Sequence, residues 1–426
     1  MKILVIGGGG REHAIIRKLK ESPEKPELYC APGNGGIARD AVCVPIRANR
    51  VEELAEYARR EGMDYVVVAP DDPLCLGLVD MLKERGIPAF GPGKAAARIE
   101  GSKVFAKELM ERFGIPTAAC RVFQHAGEAL AYVEGAEYPL VVKADGLALG
   151  KGVRVCAGAA QAREAIRDMM VAGVFGAAGN RVVVEECLTG PEVSVLCFTD
   201  GKTLRPMASS MDHKRALDGD QGLNTGGMGA VAPNPYYTPE VARVCRETIF
   251  LPTLAALEEM GCPFTGCLYF GLMLTPQGPK VIEYNARFGD PEAQAVLPLM
   301  KSDLLAVMRA TTQGTLDQAP CEFEEGASCC LVLASGGYPQ GYEAGKRIAG
   351  LAEAAEMAQV CHAGTALGED GSVLTAGGRV LNVTATAPSL EEAIDRAYAA
   401  AGRISFEGMH IRRDIGAAAL EAQNKR

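Results

Sequence analysis

A short segment around residue 285 carries the side chains best suited to metal and phosphate chemistry. Residues 281–285 form an apolar pattern typical of a β-strand, in which Glu283 and Asn285 are the polar exceptions. Side chains two residues apart in a strand point to the same face. Carboxylate and amide oxygens suit Mg²⁺, which also takes substrate phosphates and water. The sequence therefore predicts a metal site at Glu283 and Asn285.

Two further charged side chains follow this pair. Arg287 offers a guanidinium group that can bind a carboxylate or a phosphate, and Asp290 lies in a Gly-Asp-Pro turn. A metal pair, an anion-binding group and a carboxylate within so few residues favour the floor of a nucleotide-dependent active site. The alternative is an edge strand with solvated polar residues, because short motifs often occur by chance.

The composition predicts a globular, cytoplasmic protein of more than one domain. The chain has 426 residues, a mean hydropathy of +0.05 and no apolar run as long as a membrane span. Its 14 cysteines are scattered without a CxxC pair, which is typical of a reduced compartment. The net charge of −9 argues against a nucleic-acid partner. We therefore expect neither a nucleic-acid nor a membrane partner.

The first hundred residues alternate between strand-like and helix-like patterns. The predicted strands are 2–6, 65–69 and 89–90, and the predicted helices are 11–20, 51–60 and 78–85. This rhythm predicts an open parallel sheet with helices on both faces. Ligands bind such sheets at the carboxyl ends of the strands, where helix N-termini attract phosphate.

Three loops at predicted strand ends could form a pocket for a sugar phosphate. The dinucleotide fingerprint G-x-G-x-x-G does not fit the first loop, because Glu12 and His13 stand where its last glycine is needed. The first loop can still hold a monophosphate. Ordinary turn chemistry is the alternative for any single loop. The candidate substrate-binding residues in the three loops are Gly9, Gly10, Arg11, Gly33, Asn34 and Asp71.

A glycine-rich segment in the middle of the chain predicts a flap over a nucleotide triphosphate. A predicted strand, 139–143, leads into ADGLALGKGV at 144–153. Glycines let backbone N–H groups approach phosphates closely. The segment is not a Walker A loop, since Asp145 and Gly152 occupy positions that need Gly and Ser or Thr. A glycine-rich hairpin with surface lysines is the alternative. The candidate nucleotide ligands are Lys103, Lys143, Gly150, Lys151 and Gly152.

Two later segments add candidates. The predicted strand 181–186 ends in two glutamates, and backbone groups just beyond it could hold an adenine edge while Glu192 accepts ribose hydroxyls. Such glutamates are more often solvated, so this hypothesis depends on its neighbours. The loop 224–230 has few apolar anchors, and we expect it to be mobile without ligand. The candidates here are Glu185, Glu186, Leu188, Glu192, Asp212 and Lys214.

Eight segments occur in an order and spacing that resemble one enzyme family. They are GGGGREHA, APGNGG, GPGKAAARIEGSK, KADGLALGKGV, VVVEECLTGPEVS, DHKRA, NTGGMGA and VIEYNARFGDPE. Together with HAGT at 362–365 and GGRVL at 377–381, they resemble the phosphoribosylamine–glycine ligase family of the ATP-grasp superfamily. The resemblance spans the whole chain.

This resemblance implies an α/β fold in three parts. An N-terminal Rossmann-like (pre-ATP-grasp) parallel sheet would occupy 1–101, and a two-lobed ATP-grasp fold 102–325, with a flexible lobe at about 123–190. A small C-terminal α+β domain would occupy 326–426. The implied reaction joins glycine to 5-phosphoribosylamine through glycyl phosphate, with ATP as the phosphate donor, in de novo purine biosynthesis.

The resemblance also implies roles for the candidate residues. Mg²⁺ or Mn²⁺ would lie on Glu283 and Asn285, and Lys103 and Lys143 would hold the α- and β-phosphates. Arg287 would stabilise the carboxylate and acyl-phosphate oxygens, and Asp290 or Asp212 would receive the ammonium group of glycine. Lys214 completes the set of candidate catalytic residues.

Other hypotheses stay open at this stage. The chain could be another ATP-grasp carboxylate–amine ligase or carboxylase, or a non-catalytic nucleotide-binding regulator. A Rossmann oxidoreductase is disfavoured because the fingerprint is absent. Three residue differences from the family pattern concern local contacts: segment 265–275 lacks a metal carboxylate, and Gly8 and Leu149 replace commoner residues. We expect a monomer.

Overall fold

The computed structural model describes residues 1–148 and 152–425, and its N-terminal part is a parallel sheet flanked by helices. The strands are β1 (Lys2–Gly7), β2 (Glu27–Pro32), β3 (Val42–Cys43), β4 (Tyr65–Val68) and β5 (Ala89–Phe90), in the order β3-β2-β1-β4-β5. The helices are α1 (Gly10–Lys20), α2 (Val51–Arg60), α3 (Asp71–Leu76), α4 (Leu78–Glu84) and α5 (Lys94–Gly101). The predicted open parallel sheet is confirmed.

Strand β1 lies at the centre because its residues are apolar on both faces. Leu4 and Ile6 pack in one core cluster, and Ile3 and Val5 pack in another on the opposite face. All four are fully buried, as a parallel sheet covered on both faces requires. The loops after β1, β2 and β4 therefore open at one edge of the sheet, where the sequence predicted a pocket.

The central part contains two four-stranded antiparallel sheets and a two-stranded sheet among the described residues. Its strands are β6 (Cys120–Phe123), β7 (Leu140–Ala144), β8 (Val153–Cys156), β9 (Val182–Glu186), β10 (Glu192–Thr199), β11 (Leu204–Pro206), β12 (Met211–Asp212), β13 (Arg215–Leu217), β14 (Gln221–Asn224), β15 (Gly229–Ala232), β16 (Gly266–Thr275) and β17 (Gly278–Asn285). One four-stranded sheet has the order β6-β9-β7-β8, the other β11-β10-β16-β17, and the two-stranded sheet is β13-β14. The four-stranded sheets form the two lobes, and β7 and β8 form the predicted strand–loop–strand hairpin.

The central part also contains helices. They are α6 (Lys103–Arg112), α7 (Ala126–Glu134), α8 (Ala159–Ile166), α9 (Pro239–Cys245), α10 (Leu251–Glu259), α11 (Glu292–Val296) and α12 (Leu304–Gln313). Ser102 caps α6 by accepting a hydrogen bond from the backbone N–H of Phe105 at 3.1 Å. A π-helical segment, Arg246–Phe250, joins α9 to α10. Among the described residues, no helix has both the length and the apolar character needed to cross a membrane.

Strand β17 contains a bulge directly before the predicted metal pair. Gly271 pairs with Glu283 and Leu272 pairs with Val281, so Ile282 is an extra residue in the ladder. Beyond the bulge, Glu283 and Asn285 share one face, as predicted. The bulge was not predicted from the sequence, because Ile282 continues the apolar pattern.

The C-terminal part combines a sheet with helices packed against it. Its strands are β18 (Ala327–Ser335), β19 (Gln359–His362), β20 (Thr365–Leu367), β21 (Val373–Thr375), β22 (Arg379–Ala387) and β23 (Met409–His410), and its helices are α13 (Leu351–Ala355), α14 (Leu390–Ala401) and α15 (Ala417–Asn424). The sheet order is β12-β15-β18-β22-β19, so two strands from the central segment pair with the C-terminal strands. The α+β character is as predicted.

The loop 224–230 is anchored more firmly than its sequence indicated. Met228 is fully buried in the C-terminal core, and its carbonyl accepts a hydrogen bond from the backbone N–H of Val332 at 3.1 Å. The sequence predicted few apolar anchors in this loop, and Met228 is one of them. A single methionine between glycines gives no periodic signal, which explains why its burial was missed.

The first residue of α1 provides a test of packing between the N- and C-terminal parts. A Cβ on Gly10 would lie 1.9 Å from Asn382 Oδ1 and 2.9 Å from Gln294 Nε2, and both of those side chains are buried. We expect Gly10→Ala to lower the free energy of unfolding by about 1–3 kcal/mol through overpacking, measured by urea denaturation.

Gly127 is the matched control, because it also lies in the first turn of a helix. A Cβ there meets no atom within 4 Å. We expect Gly127→Ala to raise the free energy of unfolding by up to about 1 kcal/mol. Equal effects of the two substitutions would contradict the predicted contact.

Candidate active site

The buried ammonium group of Lys143 lies between the two lobes. Its Nζ atom is 2.9 Å from Glu185 Oε2 and donates to the carbonyl of Ile282 at 3.0 Å. Ile282 is the bulged residue of β17, so the bulge places a carbonyl opposite the lysine. Lys107 lies 3.3 Å from the other oxygen of Glu185. Glu185 therefore holds two lysines, and its side chain acts here as a support.

Lys103 lies at the start of α6 and faces the hairpin β7–β8. Its Nζ atom donates to the carbonyl of Gly146 at 2.8 Å. Burial lowers the pKa of Lys103, although nearby carboxylates, Glu283 first among them, act in the opposite direction. An incoming anion would stabilise the charged form. Gly152 directly precedes the return strand β8 and is buried, whereas the predicted ligands Gly150 and Lys151 lie outside the described residues.

Glu283 is surrounded by positive charge. Its Oε1 atom lies 3.6 Å from Lys214 Nζ. Burial raises the pKa of Glu283, but the charges of Lys214, Lys143 and Lys103 more than offset this, so the pKa lies below its usual value. Glu283 is therefore ionised at neutral pH, as a metal ligand must be.

Glu283 and Asn285 fit a partial Mg²⁺ site. Their strand neighbours on β16 are Gly271 and Tyr269, neither of which supplies a carboxylate. Within the described residues, no cluster of three or more His, Cys, Asp or Glu side chains could hold a metal ion. Two hard oxygens on one face are the donor set of a Mg²⁺ ion that takes its remaining ligands from phosphates and water.

Arg287 is fixed by a buried carboxylate that sequence reasoning missed. Its Nη2 atom lies 2.8 Å from Glu100 Oε1, and its Nη1 atom donates to the carbonyl of Phe288 at 3.1 Å. The other oxygen of Glu100 accepts from the backbone N–H of Ala286 at 2.7 Å. Asp71, at the start of α3, contributes negative charge to the same group. Glu100 thus orients Arg287 beside the N-terminal sheet.

Asp290 meets the N-terminal loop on one side and the C-terminal part on the other. Its Oδ1 atom accepts from Gln294 Nε2 at 2.7 Å, and its Oδ2 atom lies 3.1 Å from Arg379 Nη2. A Cβ on Gly9 would lie 3.6 Å from Asp290 Oδ2. Burial raises the pKa of Asp290, and the charges of Arg379 and Arg11 bring it below its usual value.

A second acidic group includes Asp212. Burial and then the charge of Glu292 raise the pKa of Asp212 well above its usual value. Its Oδ1 atom is buried and has no hydrogen-bond partner among the described residues. Lys214, two residues on, lies 3.0 Å from Glu192 Oε2. Lys214 also lies 3.6 Å from Glu283, so it lies between the carboxylates of Glu192 and Glu283.

Two groups of predicted residues serve mainly as supports. Asn34 donates to the carbonyls of Gly8 and His362 at 2.9 and 2.8 Å, so its amide fixes the loops around it. Gly33 has φ +75°, a conformation that favours glycine. Glu186 accepts from the backbone N–H of Ala119 at 3.0 Å. Leu188 follows in the segment between β9 and β10, where an adenine edge was predicted.

The predicted residues thus form two adjoining sets. One set, which we name the phosphate side after its predicted role, contains Lys103, Lys143, Lys214, Glu283 and Asn285. The other set, which we name the acceptor side after its predicted role, contains Gly9, Gly10, Arg11, Asp71 and Asp290. Arg287 lies between the two sets.

Three family models match successive parts of the chain. They describe the N domain of phosphoribosylglycinamide synthetase (residues 1–100), its ATP-grasp (A) domain (101–293) and its C domain (328–418). The chain belongs to the phosphoribosylglycinamide synthetase family. The matched residues include both sides of the site and the C-terminal strand that carries Arg379.

Relatives of this family align over nearly the full length. A phosphoribosylamine–glycine ligase from Clostridium acetobutylicum is 46% identical over 416 residues, which cover 98% of this chain and 99% of that protein. The crystal structure of a phosphoribosylamine–glycine ligase from Thermotoga maritima has a TM-score of 0.86 at 34% identity and covers 97% of this chain and 100% of that one.

A more distant structure shares the fold. The biotin carboxylase domain of the 2-oxoglutarate carboxylase from Hydrogenobacter thermophilus, solved with MgADP, ADP and bicarbonate, has a TM-score of 0.73 at 17% identity. It covers 96% of this chain and 91% of that one. Taken with the family match, the chain has the two-lobed ATP-grasp fold, preceded by a Rossmann-like sheet and followed by an α+β domain.

Sequence reasoning did not identify several residues that contact the candidate residues and fix their orientation. They are Glu100, Lys107, Gln294 and Arg379. Glu100 and Lys107 fall in ordinary amphipathic helices, where charged residues are usually solvated. A signal for Arg379 existed, since GGRVL was noted among the matching segments, but its partner could not be inferred from spacing.

The buried pair of Glu100 and Arg287 should give stability a pH dependence. Burial raises the pKa of Glu100 from 4.5 to about 7, despite the opposing charge of Arg287. The folded protein then binds this proton more tightly than the unfolded chain, so stability falls as the pH rises through this range. Each pKa unit is worth about 1.4 kcal/mol. Between pH 4.5 and about pH 7, the unfolding free energy of the unmodified protein should fall by roughly 3 kcal/mol more than that of Glu100→Gln.

Chemical denaturation at a series of pH values measures this difference. Glu24→Gln is the control, since Glu24 forms an exposed ion pair with Arg309. This control should follow the pH profile of the unmodified protein. A pH-independent difference between the protein and Glu100→Gln would contradict the prediction.

Proposed function

We propose that this chain catalyses the ATP-dependent ligation of glycine to 5-phosphoribosylamine. The products are glycinamide ribonucleotide, ADP and phosphate, and the reaction belongs to de novo purine biosynthesis. Family membership over nearly the whole chain supports the reaction class. The structural observation that carries the proposal is the set of cations around Glu283, which suits a nucleotide with its metal.

On the phosphate side, Lys103 and Lys143 hold the α- and β-phosphates of ATP. Both side chains are largely buried, and both ammonium groups lie close enough to Glu283 to interact with its charge. Glu283 and Asn285 would hold Mg²⁺ or Mn²⁺, which would neutralise charge that develops during phosphoryl transfer. Backbone groups around Leu188 receive the adenine edge, and Glu192 takes the ribose hydroxyls.

On the acceptor side, Arg287 binds the carboxylate of glycine. Its guanidinium group is held in place by Glu100, so little ordering is left to occur on binding. Asp290 receives the ammonium group, because a carboxylate still has acceptor capacity beyond Gln294 and Arg379. Asp212 is a second acceptor. The loops with Gly9, Gly10, Arg11, Gly33, Asn34 and Asp71 bind 5-phosphoribosylamine.

The chemistry proceeds by activation of a poor electrophile. A carboxylate does not lose oxide to an amine, so one oxygen of glycine attacks the γ-phosphorus of ATP and ADP leaves. The amine of phosphoribosylamine then attacks the glycyl carbonyl, and phosphate leaves. Arg287 lies beside Asn285 and can stabilise the oxygens of the acyl phosphate in both steps. Closed loops exclude water, which would hydrolyse this intermediate.

The proposal also assigns a role to each part of the chain and a location and oligomeric state to the enzyme. Residues 1–101 bind the ribose phosphate, 102–325 bind ATP with a flexible lobe at about 123–190, and 326–426 close the acceptor side. The enzyme acts in the cytoplasm as a monomer.

ADP release, assayed with ATP, glycine and freshly generated phosphoribosylamine, tests the function. Release that does not depend on glycine and phosphoribosylamine would overturn it.

Substitution of the metal pair tests the phosphate side. We expect Glu283→Gln and Asn285→Ala to reduce turnover at least about 100-fold, because charge neutralisation by the metal is worth several kcal/mol. Thermal unfolding should change little, since neither side chain lies in a core cluster. Steady-state ADP release over a range of Mg²⁺ concentrations measures the effect.

Glu240→Gln is the control for this experiment. Glu240 lies on α9 in an exposed ion pair with Arg243, and its replacement should leave turnover unchanged. Near-normal activity of either Glu283→Gln or Asn285→Ala would remove that residue from the metal site.

Oxygen transfer tests the intermediate. If glycine is activated as an acyl phosphate, one carboxylate oxygen leaves with the phosphate. Glycine labelled with ¹⁸O in its carboxylate should therefore transfer one labelled oxygen to phosphate in each turnover, measured by mass spectrometry. Unlabelled phosphate, or AMP and pyrophosphate as products, would contradict the acyl-phosphate route even if ligation occurs.

A further inference from the structure

Arg379 joins three segments beside the acceptor side of the site. It is the first residue of β22 in the C-terminal part. Its Nη1 atom donates to the carbonyl of Gly226 at 2.6 Å and to the carbonyl of Asp290 at 2.8 Å. Its Nη2 atom lies 3.1 Å from Asp290 Oδ2. One guanidinium group therefore contacts both the candidate ammonium acceptor and the loop 224–230.

A tyrosine from the same part of the chain holds the other side of Gly226. The hydroxyl of Tyr338 accepts a hydrogen bond from the backbone N–H of Gly226 at 3.1 Å. Both polar backbone groups of Gly226 are thus bound by side chains of the C-terminal part. A Cβ at this glycine would lie 3.0 Å from Arg379 Cζ, so the backbone approaches the guanidinium plane closely.

The geometry requires an arginine. The planar fork presents donors in fixed directions, and here it reaches one carboxylate oxygen and two carbonyls. A lysine has one nitrogen on a flexible stem and cannot occupy all three positions at once. The side chain of Arg379 is 20% exposed, so its contacts are largely shielded from water.

We propose that Arg379 is a positioning residue that couples Asp290, as the acceptor of the glycine ammonium group, to the placement of the loop 224–230. Tyr338 assists on the loop side only. An ammonium group that binds Asp290 competes for the oxygen that faces Arg379, and any shift of the guanidinium is transmitted to Gly226. The binding of glycine and the placement of the loop 224–230 are thus coupled through the side chain of Arg379. This inference rests on the proposed function.

Three variants separate the two roles. Arg379→Lys keeps the positive charge but breaks the fork, and Tyr338→Phe removes only the hydrogen bond to Gly226. Arg347→Lys is the matched control, because Arg347 lies in the same part of the chain and pairs with Asp370 at the surface. For each variant, the measurements are KM for glycine, KM for ATP, thermal unfolding, and hydrogen exchange of 224–230 with and without glycine.

We expect Arg379→Lys to raise KM for glycine by at least about tenfold, because the variant loses charged hydrogen bonds at Asp290, and to leave KM for ATP nearly unchanged. Exchange in the loop should rise and become insensitive to glycine. Tyr338→Phe should raise exchange but keep its response to glycine. Arg347→Lys should match the unmodified protein in every measurement.

The outcomes that overturn the inference are distinct from failure of the proposed function. An unchanged KM for glycine in Arg379→Lys, or a parallel rise of both KM values with a lower unfolding temperature, would overturn it. If the unmodified protein releases no glycine-dependent ADP, the proposed function fails. In that case hydrogen exchange alone tests the coupling. Hydrogen exchange of the loop 224–230 in Arg379→Lys that equals that of the unmodified protein would overturn the inference.

Discussion

Lys143 connects the two lobes of the central part through one buried ammonium group. It contacts the carboxylate of Glu185 within its own sheet and the carbonyl of Ile282 in the other sheet. A buried ammonium group is costly unless charged and hydrogen-bonding partners surround it, so both lobes must be in place to stabilise it. Thr117 reinforces the same junction by donating to the carbonyl of Val281 at 2.7 Å. The candidate nucleotide cleft therefore lies along the line where the two lobes meet.

Positive groups gather around this junction, and most of them already have carboxylate partners. The protein as a whole has a net charge of −9, yet Glu283 is surrounded by Lys214, Lys143, Lys103 and Arg287. Lys143 also pairs with Glu185, Lys214 with Glu192 and Arg287 with Glu100. Lys103 donates to the carbonyl of Gly146, and burial lowers its pKa. A phosphate group bound beside Lys103 would stabilise the charged form of this lysine.

The sequence predicts the repetitive features of this structure well and the supporting contacts poorly. Helix α2 has the predicted bounds, and Glu283 and Asn285 share a face, because both follow from local periodicity. The bulge at Ile282 and the burial of Glu100 depend on residues far away in the chain, and no local pattern encodes them. Resemblance supplied the roles of the candidate residues, which geometry now groups into two sets.

The C-terminal part contributes contacts to the candidate site, as the two lobes do. Strand β22 places Asn382 beneath Gly10 and Arg379 beside Asp290, and β12 and β15 from the central segment complete its sheet. Most of these contacts involve polar or backbone atoms, so they depend on direction as well as distance. A reaction with a water-sensitive acyl phosphate needs its substrate loops fixed relative to one another. Three parts of the chain that meet at Gly9–Arg11 and Asp290 provide that constraint, which one domain alone would not.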